Sequence, residues 1–297
     1  MEEIIGKVIR IDLDIYVIQT KKEIIQAKAR GNTKKKGSIL VGDVVCLEKA
    51  GQDFMITSVR NRQNSLIRPP VSNIDQMIIV TSLATPVPDY ILLDKQIVLC
   101  MSKGINPVIC INKIDLENAN EQSKLDLEYI KNTYSNLGIE ILFVSAKEKV
   151  GLDELKRVLK GKTSAFSGNS GVGKSSITSE LIGEDVLVGD IGQKSNRGKH
   201  TTKSVNIYSI DEDTFILDTP GFSSYELYDI EYRDLKDFYP EFKSCHCDYS
   251  DCAHVIEDNS VCDVKRKLNE GKIDQGRYDR YVYIYEKLKE QYDRRYK

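Results

Sequence analysis

Ser164-Ala-Phe-Ser-Gly-Asn-Ser-Gly-Val-Gly-Lys-Ser175 decides the fold of this 297-residue chain. A short apolar run ends on Ser167, and a helical pattern starts near Lys174. The eight residues Gly168 to Ser175 between them fit G-x-x-x-x-G-K-S. A strand, a glycine-rich loop and a helix in that order make the context a phosphate cradle requires. Gly168, Gly171 and Gly173 let backbone N–H groups curl around phosphate oxygens, with Asn169, Ser170 and Val172 completing the loop. Lys174 supplies a point charge to β- and γ-phosphates, and Ser175, beside Ser176, offers a hydroxyl to magnesium. The following helix adds its positive end.

Working outward, residues 73–222 alternate between two periods. Met77-Ile-Ile-Val-Thr-Ser-Leu83, Pro107-Val-Ile-Cys-Ile-Asn112 and Glu140-Ile-Leu-Phe-Val-Ser145 read as buried strands, as do Val205–Ile210 and Phe215–Asp218. Leu92–Ser102, Leu116–Leu137 and Leu152–Leu159 have helical spacing. The alternation predicts a mostly parallel sheet covered on both faces. Residues 1–66 are different: short β-branched runs separated by turn residues, which predict a small antiparallel barrel. That segment is net basic within a chain of formal net charge -2. Its Lys34-Lys35-Lys36 run suits either a solvated loop or contact with phosphates. Asn61–Ser72 reads as a linker whose Arg68-Pro69-Pro70 disfavours helix on either side. From 223 to the end the reading is mainly helical around a compact Cys/His loop. Six tyrosines among alternating charges, Tyr278 to Tyr296, predict an amphipathic helix docked by its aromatic face. The expected organisation is therefore multidomain: 1–66, 73–222 and 223–297.

Three further motifs accompany the cradle. Asn112-Lys113-Ile114-Asp115 follows a strand directly and is similar to the guanine-reading N-K-x-D of GTPases. A carboxylate at Asp115 can accept from guanine's ring N–H and exocyclic amine, which adenine does not offer in that geometry. Ser145-Ala146-Lys147 follows the next strand, as a second base-contacting loop. Asp218-Thr-Pro-Gly221 ends an apolar strand and resembles D-x-x-G, whose Asp reaches magnesium through water and whose Gly N–H senses the γ-phosphate. Thr202, with Thr201 as the alternative, is the expected magnesium and γ-phosphate contact of the first switch. The base motifs thus precede the cradle, and the switches come last. In this permuted order the second switch runs straight into the C-terminal domain, so γ-phosphate-dependent movement should be felt there.

Seven cysteines are present. Cys46, Cys100 and Cys110 sit in apolar contexts and read as buried small hydrophobes. The other four crowd between Cys245 and Cys262. Cys247, Cys252, His254 and Cys262 form a Cys₃His set suited to one structural zinc with no open position, with Cys245 and His246 as possible substitutes. The chain shows no secretory pattern and no apolar run near the ~20 residues that span a bilayer, so a cytoplasmic, non-membrane protein is expected.

These parts in this order resemble the circularly permuted, ribosome small-subunit-dependent GTPases, the RsgA (YjeQ, YloQ) family. The resemblance covers nearly the whole chain. It implies that the barrel is an RNA-binding OB-fold and that the protein hydrolyses GTP to GDP during late small-subunit maturation. The partners implied are the small subunit and its rRNA, with hydrolysis stimulated by the subunit. We read the chain as a monomer. The His254–Cys262 spacing is two residues longer than the family pattern, which puts the loop's shape in question more than its ligands. Phe222 stands where many GTPases place a water-orienting Gln. His200, matching a histidine of the family pattern, is the expected substitute. The alternative reading of the same motifs is a GTP-gated RNA-binding module whose hydrolysis is incidental.

Overall fold

Five strands close the N-terminal barrel: β1 (Ile4–Asp12), β2 (Ile15–Thr20), β3 (Ile24–Ala29), β4 (Val44–Ala50) and β5 (Asp53–Val59). Their order is β1-β2-β3-β5-β4, and β4 pairs back onto β1. All neighbours are antiparallel except β3 and β5, the one departure from the expected antiparallel barrel. This closed order is that of an OB-fold. Closure leaves no strand edge open, and alternate side chains fill the interior. Val8, Ile18, Val45, Leu47 and Ile56 are all buried there. The computed structural model describes residues 4–31, 37–182, 206–218, 227 and 229–295. Lys34, Lys35 and Lys36 lie outside the described residues.

The segment expected to be a linker is a fixed joint. Its short strands β6 (Ser65–Leu66) and β7 (Val71–Ser72) pair with each other. Val71 and Ser72 are fully buried. The fully buried carboxylate of Asp43 in the barrel accepts from Ser72 Oγ at 2.6 Å. Arg62 forks onto both of its oxygens at 2.7 and 2.8 Å. A carboxylate removed from water needs such donors, and these come from the joint. Prolines and polar residues mark the segment as non-helical, but the apolar anchors Leu66, Val71 and Ile74 hold it in the core.

Beyond the joint comes a six-stranded sheet of order β10-β9-β8-β11-β13-β12. The strands are β8 (Gln76–Ser82), β9 (Asn106–Asn112), β10 (Glu140–Val144), β11 (Thr163–Ser167), β12 (Asn206–Ser209) and β13 (Phe215–Asp218). All neighbours are parallel except β12 with β13. The period of two along β8 and β9 assigns each face its own core. Met77, Ile79, Ile109 and Ile111 face helices α1 (Tyr90–Lys103) and α2 (Glu121–Ser135). Ile78, Val80, Val108 and Cys110 face α3 (Leu152–Leu159) and α4 (Lys174–Ile182). Right-handed crossovers explain the division. The chain first steps outward through α1 and α2, then α3 returns across the other face to reach β11. The barrel is joined to the sheet's lower end. Lys7 Nζ of β1 donates to Thr163 Oγ1 at 2.5 Å and lies 4.2 Å from the centroid of the Phe215 ring.

The C-terminal part follows β13 with two short 3₁₀ turns (Leu235–Phe238 and Pro240–Phe242), α5 (Asp263–Asn269) and the long α6 (Gln275–Arg295). Tyr278, Tyr281, Ile284 and Leu288 recur at helical spacing and are buried in a separate core with Tyr239, Phe242 and the metal-loop cysteines. Val98 of α1 belongs to that same core.

Candidate functional site

Among the described residues, the nucleotide motifs marked in the sequence sit at one end of the sheet, where strands leave their C-terminal ends. The cradle follows β11, Asn112–Asp115 follows β9, Ser145–Lys147 follows β10, and Asp218 ends β13. Because β8 and β11 are neighbours whose crossovers lead to opposite faces, a crevice opens beyond them. Open α/β sheets bind ligands at such a switch point.

The cradle's curvature depends on its glycines. Gly168, Gly171 and Gly173 have φ of 133°, 82° and 95°. A Cβ on Gly168 would lie 2.1 Å from the Val80 carbonyl oxygen, and one on Gly173 would lie 2.2 Å from Asn112 Nδ2. Backbone thus passes where side chains do not fit. Lys174 Nζ donates to the carbonyls of Gly168 at 2.7 Å and Asn169 at 2.8 Å, while Ser170, Ser175 and Ser176 are exposed at the loop and the start of α4.

Asn112 ties the three loops together. Its Nδ2 donates to the Val172 carbonyl at 2.8 Å, and its Oδ1 accepts from the Ala146 N–H at 3.2 Å. It is 2% exposed. Lys113, with φ 62°, sends Nζ to the carbonyls of Thr85 and Gly171, the latter at 2.8 Å. Asp115 is exposed, with Oδ1 accepting from Ser145 Oγ at 2.6 Å. The same hydroxyl accepts from the Glu148 N–H at 3.1 Å. Ile114 lies in a 3₁₀ turn between them, and Lys147 is exposed and paired with Glu148. The carboxylate is therefore fixed in direction yet open to a ligand. His200, Thr201, Thr202, Gly221 and Phe222 lie outside the described residues, as does the side chain of Asp218.

The second site is the metal loop. The donor atoms of Cys247, Cys252, His254 and Cys262 all lie within 4.8 Å of one another. His254 Nδ1 is 3.5, 3.2 and 3.5 Å from the Sγ atoms of Cys247, Cys252 and Cys262, and Cys247 Sγ is 4.0 Å from Cys262 Sγ. A tetrahedral ion with metal–S ~2.3 Å and metal–N ~2.0 Å requires edges of about 3.5–3.8 Å, so the donor set fits. Burial pushes the His254 pKa down to about 4, keeping its imidazole neutral as a ligand must be. Cys245 and His246 stand outside the group: Cys245 Sγ donates to the Glu241 carbonyl, and the His246 N–H to Asp263. Between His254 and Cys262 the chain makes a turn at Asp258, which accepts from the N–H groups of Ser260, Val261 and Cys262. The tyrosine helix holds this loop. Tyr278 and Tyr281 each donate at 2.6 Å, to the carbonyls of His254 and Ala253.

The RsgA GTPase family model matches residues 59–228. The small ribosomal subunit biogenesis GTPase RsgA of Caldanaerobacter subterraneus is 38% identical, with 100% of each chain covered. That of Clostridium acetobutylicum is 40% identical over 95% of this chain and 97% of its own. This chain belongs to the RsgA GTPase family. Solved structures agree. YjeQ from Thermotoga maritima superposes with a TM-score of 0.84 at 32% identity, covering 97% of this chain and 99% of its own. YloQ, described as a circularly permuted GTPase, gives 0.82 at 30%, covering 98% and 96%.

Sequence reasoning missed what joins the GTPase and C-terminal parts of this RsgA-family chain. Asp94 of α1, fully buried, accepts from Arg277 Nη1 at 2.5 Å, Arg280 Nε at 2.5 Å and Tyr134 OH at 2.6 Å. Arg277, 1% exposed, also pairs with Glu241. Burial opposes the charge on both guanidiniums, but the carboxylates facing them outweigh it and hold their pKa values above the ordinary arginine range. The signal in the sequence is slight: one acid at a core-facing position of the helical run Leu92–Ser102. No helix among the described residues is long and apolar enough to cross a membrane.

Proposed function

We propose that this chain is a GTPase that binds the small ribosomal subunit and hydrolyses GTP to GDP and phosphate during late subunit maturation, with the subunit stimulating hydrolysis. The observation that carries the reading is Asn112. Its one side chain joins the base-reading loop to the cradle and to the Ser145–Lys147 loop, which come from three separate places in the chain. In this reading Asp115 accepts from guanine, Lys113 lays its stem along the base, and Ala146 and Lys147 close the second side. The N–H groups from Gly168 to Ser176 and Lys174 Nζ hold the phosphates. Lys174, now on loop carbonyls, has only to swing from one set of oxygens to another.

Ser175 and Thr202 would hold magnesium, with Asp218 reaching it through water, and the ion would supply charge neutralisation at the phosphates. The Gly221 N–H contacts the γ-phosphate. His200 orients the attacking water in place of a Gln, and the water's proton leaves toward the phosphate product. In this reading the subunit brings His200 to the attacking water, so turnover without the subunit is slow. Cys247, Cys252, His254 and Cys262 hold one zinc, which acts as a folding cross-link and takes no part in hydrolysis. The working parts are residues 1–66 as RNA-binding barrel, 73–222 as permuted GTPase and 223–297 as zinc domain, in a cytoplasmic monomer.

The test is phosphate release with and without purified small subunits, beside a GTP titration. Wild type should be stimulated, whereas His200→Ala should keep GTP affinity and subunit binding but lose most of the stimulation. Turnover indifferent to the subunit would refute the reading and favour a GTP-gated RNA-binding module. Full stimulation of His200→Ala would remove His200 from the water.

A further inference from the structure

Helix α1 meets three different neighbours at the three spacings of a helical turn. Leu93, Ile97 and Cys100 (i, i+4, i+7) face the sheet core. Asp94 and Val98 (i, i+4) face the C-terminal part, Asp94 through Arg277 and Arg280 and Val98 through the apolar core around Tyr239 and Tyr281. Lys103 adds an ion pair to Asp229 at 3.0 Å. The third face meets the phosphate cradle. Gln96, 1% exposed, donates from Nε2 to Ser167 Oγ at 2.7 Å. Ser167 is the last residue of β11, directly before Gly168. Two turns earlier, Asp89 caps α1 by accepting the Leu92 N–H with one oxygen, and its other oxygen lies 3.4 Å from Asn169 Nδ2.

We propose that Gln96 is a positioning residue for the cradle, and that α1 is the rigid element through which the C-terminal helix sets the cradle's position. This rests on the reading of Gly168–Ser175 as the phosphate site. The cradle does not rest on α1 by close apolar contact alone. A cavity of about 10 Å³, room for about one water, separates Asp89, Leu92 and Gln96 from Gly168, Asn169 and Val172. Beside it the short, buried Gln96–Ser167 bond fixes the distance. The buried Gln96 amide has a specific partner, and leaving that amide unpaired in this environment is costly. A small displacement of α1 therefore moves the root of the loop whose N–H groups face the phosphates. The C-terminal part is bolted to the same helix by one carboxylate shared between two arginines, so displacing α6 displaces α1. This route runs through described, packed elements and is separate from the chain connection after Gly221. Because it acts on the cradle, it should affect GDP and GTP alike, whereas a route through the second switch discriminates between them.

The experiment uses the full chain and a fluorescent GDP analogue, with GTP and ATP as competitors. Gln96→Met and Arg280→Met are made singly and together. Gln96→Met should weaken GDP and GTP binding equally, by about fivefold, the scale of one neutral hydrogen bond, and Arg280→Met, acting through α1, should weaken both equally by up to the same factor. Preference for GTP over ATP should not change. The double variant should bind about as well as the weaker single, the mark of two residues acting through one element. A purely structural role would lower stability in urea without moving nucleotide affinity. Gln96→Met binding as wild type does, or effects that multiply in the double variant, would overturn the proposal while leaving the cradle assignment intact. A wild-type chain that fails to bind the GDP analogue would overturn the functional reading and the proposal with it. If Gln96→Met does not fold, Ser167→Ala removes the other end of the same bond and is read in the same way.

Discussion

Asp94→Ala removes the one carboxylate that faces Arg277, Arg280 and Tyr134 together. Breaking a buried ion pair from one side costs about 3–5 kcal/mol, because the charge left behind remains out of water. The structure selects the lower end. Arg277 keeps Glu241 as a partner, and Arg280, 13% exposed, can turn toward solvent. We expect a loss of about 3 kcal/mol. The assay is equilibrium urea unfolding followed by tyrosine emission, since the chain has 16 Tyr and no Trp. With a slope near 3 kcal/mol per molar, the midpoint should fall by about 1 M. The transition that moves should be the one reporting on the C-terminal part, where Tyr239, Tyr278 and Tyr281 are buried. Asp94→Leu with Arg277→Met should recover part of the loss, because a packed apolar pair often replaces a buried ionic one without penalty. A fall of less than about 1 kcal/mol for Asp94→Ala would show that the arginines reach water, refuting the buried lock.

Asp115→Asn should weaken GTP binding by about 1.5 kcal/mol or more, the loss of charge-assisted bonds, and equal titrations of variant and wild type would take Asp115 off the base. Gly173→Ala places a Cβ 2.2 Å from Asn112 Nδ2 at a φ of 95°. Strain of about 1–3 kcal/mol should lower nucleotide affinity roughly tenfold while the urea midpoint of the C-terminal part stays put. Metal analysis of protein purified without chelator should return about one zinc per chain, and Cys252→Ser should destabilise the C-terminal part but leave nucleotide binding in place. A zinc-free wild type that keeps its C-terminal fold would refute that role.

The sequence by itself determined the elements that carry period and punctuation. Short apolar, β-branched runs marked the strands. Gly168-x-x-x-x-Gly-Lys-Ser fixed a cradle between strand and helix, and Asn112–Asp115 fixed a polar turn after a strand. The Cys/His spacing marked a ligand cluster. These are local: each depends on residues within one or two turns, and their physics is complete at that range. What only tertiary structure decided depends on residues far apart in the chain. Asn61–Ser72 has the composition of a linker, and it became a joint because Asp43, buried in the barrel, needs the donors of Arg62 and Ser72. Asn112 shows a base-reading motif in sequence, and the fold also makes it the bond between three loops. The tyrosines of α6 read as an apolar face, and two of their hydroxyls hold the metal loop. Asp94 and Arg277 stand 183 residues apart, and neither has a pattern around it that names the other. A buried charge must be paired, but its partner is chosen by packing, and packing is decided only when distant elements meet.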